Sequence, residues 1–196
     1  MTDASKDTYE LITLKTARCT LREFTSADLA AVHEYAQDAE TTKYLDWGPN
    51  SLKDTTVFLN ESLGFQLEIP RTTFDMAVIS DAENRLVGAS SVTIIDRENK
   101  VGALGYVINR KYWGSGYASE AAAALARFAF EQLHMEKLLA TCDSLNVASE
   151  KVMRNIGMTL EQKFARHKFM KGKYRDELLY SVTRDDWAAH LRNRSR

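Results

Sequence analysis

Proline is scarce in this chain: Pro49 and Pro70 are the only two among 196 residues. With no Pro/Gly-rich stretch, low-complexity segment or internal repeat, a second domain has no place to begin, and one domain over 1–196 is the reading. Cysteine is as scarce. Cys19 and Cys142 lie far apart without paired spacing, which argues against a disulfide framework or zinc site and for two reduced thiols packed as small apolar groups. No apolar run reaches the length of a membrane span and no N-terminal signal pattern is present, so no membrane partner and a cytoplasmic location are expected. Charge of one sign is not in excess either. Lys and Arg number 26 against 27 Asp and Glu, a net charge of −1, which argues against a nucleic-acid partner. The four histidines (His33, His134, His167, His190) show no ligand spacing, so no metal is expected. The arginines of the tail 192–196 read as a frayed, solvated end.

What is present suits a globular chain with a full core: 44% of residues are apolar and 27% charged. Residues 11–24 read as a first strand, with Thr25 or Ser26 capping a helix over 28–37. A loop over 44–50 leads to a second helix over 54–68. Strands are expected over 74–79, 85–96 and 100–108. Ala118, Ala122, Leu125, Ala129 and Leu133 recur at helical spacing. A strand over 137–142, a helix over 148–155 ended by Gly157, and a closing hairpin over 158–169 and 177–183 complete the order βααβββαβαββ. Such an order implies an α/β sandwich with a mixed, mostly antiparallel sheet.

The most informative stretch is Tyr112-Trp113-Gly114-Ser115-Gly116-Tyr117-Ala118-Ser119-Glu120-Ala121. A strand, a tight turn with two glycines and a helix start follow one another. Glycine admits backbone angles closed to other residues and lets a ligand approach the main chain. A helix start leaves amides unpaired, with partial positive charge behind them. Together these suit a phosphate-bearing ligand. A dinucleotide fold would need a third glycine where Ser119 stands, and a P-loop would need Lys-Ser/Thr where Tyr117-Ala118 stands. A turn without a ligand is the remaining alternative.

A second motif follows: Asn146-Val147-Ala148-Ser149-Glu150-Lys151-Val152-Met153-Arg154-Asn155-Ile156-Gly157-Met158. With the glycine turn, Glu161 and the segment Gly172-Lys173-Tyr174-Arg175-Asp176, it resembles the GNAT superfamily of N-acetyltransferases, specifically the ribosomal-protein N-terminal acetyltransferase (RimJ/RimL-like) branch. Leu21-Arg22-Glu23-Phe24 and Ser26-Ala27-Asp28-Leu29 resemble the opening of that family. Asn155 stands where the branch usually has lysine.

The resemblance implies a three-layer sandwich whose sheet is splayed around acetyl-CoA, with no metal. It implies that Val107 and Ile108 offer main-chain groups to the pantetheine arm. Gly114, Ser115, Gly116, Tyr117 and Ala118 would supply amides to the phosphates, beside Trp113 and with Lys111 as a nearby cation. Asn146 would contact the CoA arm, although helix capping alone would explain its type. Many relatives place a tyrosine where Met153 stands, and Met153 cannot donate a proton. Ser149 would instead assist departure of the thiolate, since a donor in place is all that step requires. Its other reading is a helix-start serine without chemistry. Glu161 would be the general base that takes the amine proton, its alternative being a strand carboxylate paired with Lys163 or Arg166. Tyr44, Asp46 and Trp47 would wall the acceptor site, their other reading being a structural loop closed by Gly48-Pro49; Tyr174 would foremost serve hairpin hydrogen bonds and secondarily add to that wall.

The function this implies is acetyl transfer from acetyl-CoA to a primary amine, foremost a protein N-terminal α-amine, in an enzyme that is commonly a homodimer among relatives. Acetylation of a small amine (a polyamine, amino sugar or antibiotic) and a non-catalytic acyl-CoA-binding protein are the rivals.

Overall fold

A computed structural model describes residues 11–194. Eight strands form one sheet in the order β1-β2-β3-β4-β5-β6-β8-β7. The strands are β1 (Thr13–Lys15), β2 (Cys19–Glu23), β3 (Thr73–Ser80), β4 (Arg85–Asp96), β5 (Val101–Ile108), β6 (Lys137–Asp143), β7 (Thr159–Met170) and β8 (Lys173–Thr183). The helices are α1 (Leu29–Ala36), α2 (Leu52–Phe65), α3 (Tyr117–Glu131), α4 (Val147–Asn155) and α5 (Arg184–Arg194). Every neighbouring pair of strands is antiparallel except β5 and β6.

Two cores sandwich the sheet. On one face Leu125, Ala126, Ala129 and Phe130 of α3, with Met153 and Ile156 of α4, pack on Met76, Val78, Val92 and Leu138 of the strands. The alanines of α3 let that helix lie close on the sheet. On the other face Val32, Tyr35 and Ala36 of α1 and Leu59 of α2 cover Ala77 and Ala89. Helix α2 starts in a capping box, Ser51 and Asp54 each bonding the other's main-chain amide. This is the mostly antiparallel α/β sandwich expected.

Two elements differ from expectation. The single first strand is a hairpin, Thr13 facing Arg22, because Thr16 bonds back to Cys19 and turns the chain where no Gly or Pro marks it. The tail expected to fray is helical as far as Arg194. Thr183 and Asp186 cap α5 reciprocally, and buried Trp187 stacks on Phe130 at 5.1 Å. Both cysteines are buried free thiols. Among the described residues no helix is long and apolar enough to cross a membrane.

Candidate active site

The site begins where the sheet divides. Strands β5 and β6 pair only at Val101–Lys137, Gly102–Leu138 and Ala103–Leu139. Beyond Ala103, β5 stays with β4 as far as Ile108, while β6 stays with β8 as far as Asp143. The strands therefore part and leave a notch whose β5 wall is bare main chain from Leu104 onward. The notch opens into a cleft of about 1280 Å³ that runs beneath α1 and α2.

The glycine turn closes one end of this cleft. Gly114 and Gly116 have φ of +74° and +87°, the left-handed region that favours glycine. Gly116 is the N-cap of α3 and has no side chain to satisfy the first amides of that helix. Those amides border the cleft at Gly116, Tyr117, Ala118 and Ser119. Behind the turn, Arg18 donates to the Ser115 carbonyl at 2.8 Å and to the Glu120 carboxylate at 2.8 Å, fixing the turn to the start of α3. A Cβ on Gly116 would lie 3.0 Å from the Arg18 guanidinium. Trp113 borders the cleft too, its indole N–H donating to the Ile108 carbonyl at 2.7 Å. That carbonyl is therefore engaged, and Leu104 and Tyr106 supply the main chain still facing the notch, since Gly105 and Val107 turn theirs to β4, where Ser90 Oγ donates to the Gly105 carbonyl at 2.9 Å.

Opposite the turn, three proton-bearing side chains converge. Tyr106 of β5 donates to the Ser149 carbonyl at 2.8 Å, and its oxygen lies 3.0 Å from Ser149 Oγ. The Cys142 thiol of β6 lies beside Ser149 and also borders the cleft. Because the one Tyr106 proton goes to the Ser149 carbonyl, the Ser149 hydroxyl is the donor in the 3.0 Å contact with the phenol oxygen, and it is the proton that can turn to a partner in the cleft. Burial pushes the Tyr106 phenol up, and burial pushes the Cys142 thiol up to about 11, so both stay neutral at pH 7. Asn146 caps α4, its Oδ1 accepting the Ser149 amide at 3.1 Å, and also borders the cleft. Met153, in the position where many relatives have a tyrosine, is fully buried. A phenol reaches the same neighbourhood from β5 instead. Sequence reasoning missed Tyr106; its signal was an aromatic one residue after Gly105 in a strand otherwise of small and aliphatic residues.

Several expected site residues lie elsewhere. Glu161 is the extra residue of a bulge in β7, between Leu160–Tyr180 and Gln162–Leu179, and does not border the cleft. Its carboxylate is 2.5 Å from Lys137 Nζ at the closed end of the notch, and that bond, with one from Ser181, holds it below the usual carboxylate range. The geometry gives no route from Glu161 to an amine in the cleft. Lys111 pairs with Glu34 of α1 at 2.8 Å, outside the cleft, and Ser115 turns its carbonyl to Arg18 rather than bordering it. Tyr174 lies on the outer face of the last hairpin against Phe169 and Arg166, away from the cleft. Tyr44 and Trp47 do line the cleft, whereas Asp46 borders a smaller adjoining pocket. Lys171, at the tip of that hairpin, donates to the main-chain carbonyls of Thr42 and Trp47 and so holds the wall in place.

Residues 18–159 match the family described as Acetyltransferase (GNAT) domain. The chain is also 31% identical over 174 residues to the uncharacterised N-acetyltransferase YnaD of Bacillus subtilis (strain 168), covering 89% of this chain and 98% of that one. The chain belongs to the GNAT acetyltransferase family. Two solved structures share the fold of this acetyltransferase. One is RimL, a ribosomal L7/L12 alpha-N-protein acetyltransferase in complex with coenzyme A, at TM-score 0.79 and 22% identity over 90% of this chain and 99% of that one. The other is the spermidine N-acetyltransferase of Vibrio cholerae in complex with CoA and spermine, at TM-score 0.77 and 17% identity over 88% and 99%. At these identities the likeness concerns the fold of this GNAT acetyltransferase alone.

Proposed function

We propose that this enzyme acetylates the α-amine of a protein or peptide N-terminus, using acetyl-CoA. One observation carries the acceptor class: the cleft of about 1280 Å³ extends well past the glycine turn and the notch, the parts suited to the donor. It continues from the notch into a trough walled by Tyr44, Trp47, Val57 and Phe58. Half-exposed aromatic and aliphatic walls suit an extended peptide, and the carboxylate of Glu61 along the same trough suits its ammonium end.

The residues present fit the donor. Uncapped amides at Gly116–Ala118, left-handed glycines that let a pyrophosphate approach the main chain, and the bare edge of β5 match a phosphate-bearing arm ending in the notch. When bound, acetyl-CoA supplies an acetyl group activated on sulfur. The Ser149 hydroxyl then serves as hydrogen-bond donor to the departing sulfur, Tyr106 fixes the rotamer of Ser149, and Asn146 holds the first turn of α4 that carries Ser149. Holding amine and acetyl group in one cleft supplies much of the rate.

The test is thiol release from acetyl-CoA against a panel of peptides with free α-amines, polyamines and aminoglycosides. Turnover of peptides above the other amines supports the reading; turnover confined to a small amine overturns it.

A further inference from the structure

We propose that Asp75 of β3 is the group that receives the proton of the acceptor amine. The proposal rests on the reading that an amine is acetylated in this cleft. Asp75 is in register with Ser91 of β4, and Ser91 with Gly105 of β5. Residues in register across a sheet project to the same face. The neighbours two positions along, Ala77, Ala89 and Val107, belong to the core beneath α1 and α2, so the row faces the trough side. All three residues border the cleft. Strands lie ~4.8 Å apart, which sets Asp75 about 10 Å from the main chain of β5 where the notch begins. Between them stand one short hydroxyl and a glycine. A Cβ on Gly105 would lie 2.8 Å from Ser91 Oγ, so the row is kept low and leaves a seat for a nitrogen between the carboxylate and β5.

The surroundings of Asp75 suit an ammonium. Its hydrogen bond comes from Ser62 Oγ of α2 at 2.7 Å, and among the described residues it has no ion-pair partner. Arg71, the cation that influences it, pairs with Glu23 through Nη1 and donates from Nε to the Thr73 carbonyl, its Nη2 being buried without a hydrogen-bond partner among the described residues. Glu61 of α2 adds negative charge, and the phenol of Tyr35, from α1, is deeply buried nearby. Other acids along the trough are engaged: Asp54 caps α2, and Glu40 pairs with Lys43. Partial burial, reinforced by Glu61 and opposed by Ser62 and Arg71, raises the Asp75 carboxyl above the usual range, which makes it a better proton acceptor.

The chemistry balances without another reactant. The ammonium gives one proton to Asp75, and the neutral nitrogen bonds to the acetyl carbon as the carbon–sulfur bond breaks. The sulfur leaves with the bonding pair and takes up the second nitrogen proton by way of the Ser149 hydroxyl or solvent. Asp75 returns its proton to solvent, and one proton is released per amide formed.

Asp75→Asn keeps the shape and the acceptor for Ser62, and is compared with Asp75→Glu on whichever panel amine is turned over fastest. The expected result is a loss of about 100-fold in kcat for Asn, with KM for acetyl-CoA unchanged, the acid limb of the pH–rate profile removed, and partial recovery in Glu. Ser62→Ala, which removes the bond that lowers the Asp75 pKa, is expected to move the acid limb to higher pH. NMR titration of labelled aspartates in the substrate-free protein provides a reading independent of turnover: one carboxyl titrating above the others, absent in Asp75→Asn and higher still in Ser62→Ala. An Asn variant with kcat within threefold of wild type and an unchanged pH profile overturns the proposal. Turnover of a small amine only overturns the peptide reading and leaves the Asp75 comparison to run on that amine. No turnover of any amine overturns both.

Discussion

Tyr106 and Ser149 meet across the notch, oxygen to oxygen at 3.0 Å, although they are 43 residues apart in the chain. Each fixes the other: the phenol proton is directed to the Ser149 carbonyl, and the serine hydroxyl remains as the donor.

Removing the two hydroxyls should therefore have different consequences. Ser149→Ala takes away the donor and is expected to lower kcat about 100-fold, leaving CoA affinity within twofold. Tyr106→Phe removes only the group that orients it and should lower kcat about tenfold, with about 1 kcal/mol of stability lost with the bond. Steady-state kinetics, with calorimetry for CoA binding, separate the two. Equal losses would show that the phenol, not the serine, acts on the sulfur.

Gly116→Ala addresses the turn. At φ +87° an added Cβ costs roughly 1–2 kcal/mol, and here it also presses on Arg18 at 3.0 Å. The dissociation constant for CoA, read by calorimetry, is expected to rise about tenfold while kcat at saturating donor changes little.

The Lys137–Glu161 pair makes a contrasting prediction. Glu161→Gln is expected to leave kcat within twofold, because the carboxylate lies outside the cleft. Its effect is on stability. The folded pKa of Glu161 is depressed, so the contribution is present above the ordinary glutamate value of about 4.3 and is lost as pH falls through the folded value. Both side chains are more than a third exposed or nearly so, which limits the contribution to at most about 1 kcal/mol. Thermal melts of wild type and variant should differ slightly at pH 7 and converge at acid pH.

Lys171→Met tests the acceptor wall. Losing a charged donor to the carbonyls of Thr42 and Trp47 loosens the loop between α1 and α2 without touching the donor side. KM for the acceptor is expected to rise about tenfold, corresponding to ~1.5 kcal/mol, with KM for acetyl-CoA unchanged. A parallel rise in both constants would mean that the hairpin tip supports the whole site.

What was legible in the sequence was local. The strand–glycine–helix order, the helical stripe of α3 and the Asn146 cap each depend on residues within a few positions of one another, and each stands where the spacing placed it. The losses are all long-range. Lys111 is a cation beside the glycine turn in the sequence, but Glu34, 77 residues away, claims it. Glu161 is displaced by a bulge whose existence depends on pairing with β8, which no residue type in β7 announces. Asp75 acquires its meaning from register across three strands, and Tyr106 from its contact with α4 across the notch. Thr183-x-x-Asp186 was a readable capping signal for α5, obscured by the arginines that follow it.

The division of the sheet also has a mechanical side. Strands β1–β5 form one continuous antiparallel unit and β6, β8 and β7 another, and they are laced together by three residue pairs at one end. Such a joint is a seam already half unpicked. With so few strand pairs between the halves, it is the core beneath α3, drawing Met76 and Val92 from one and Leu138 and Tyr180 from the other, that keeps them in one piece.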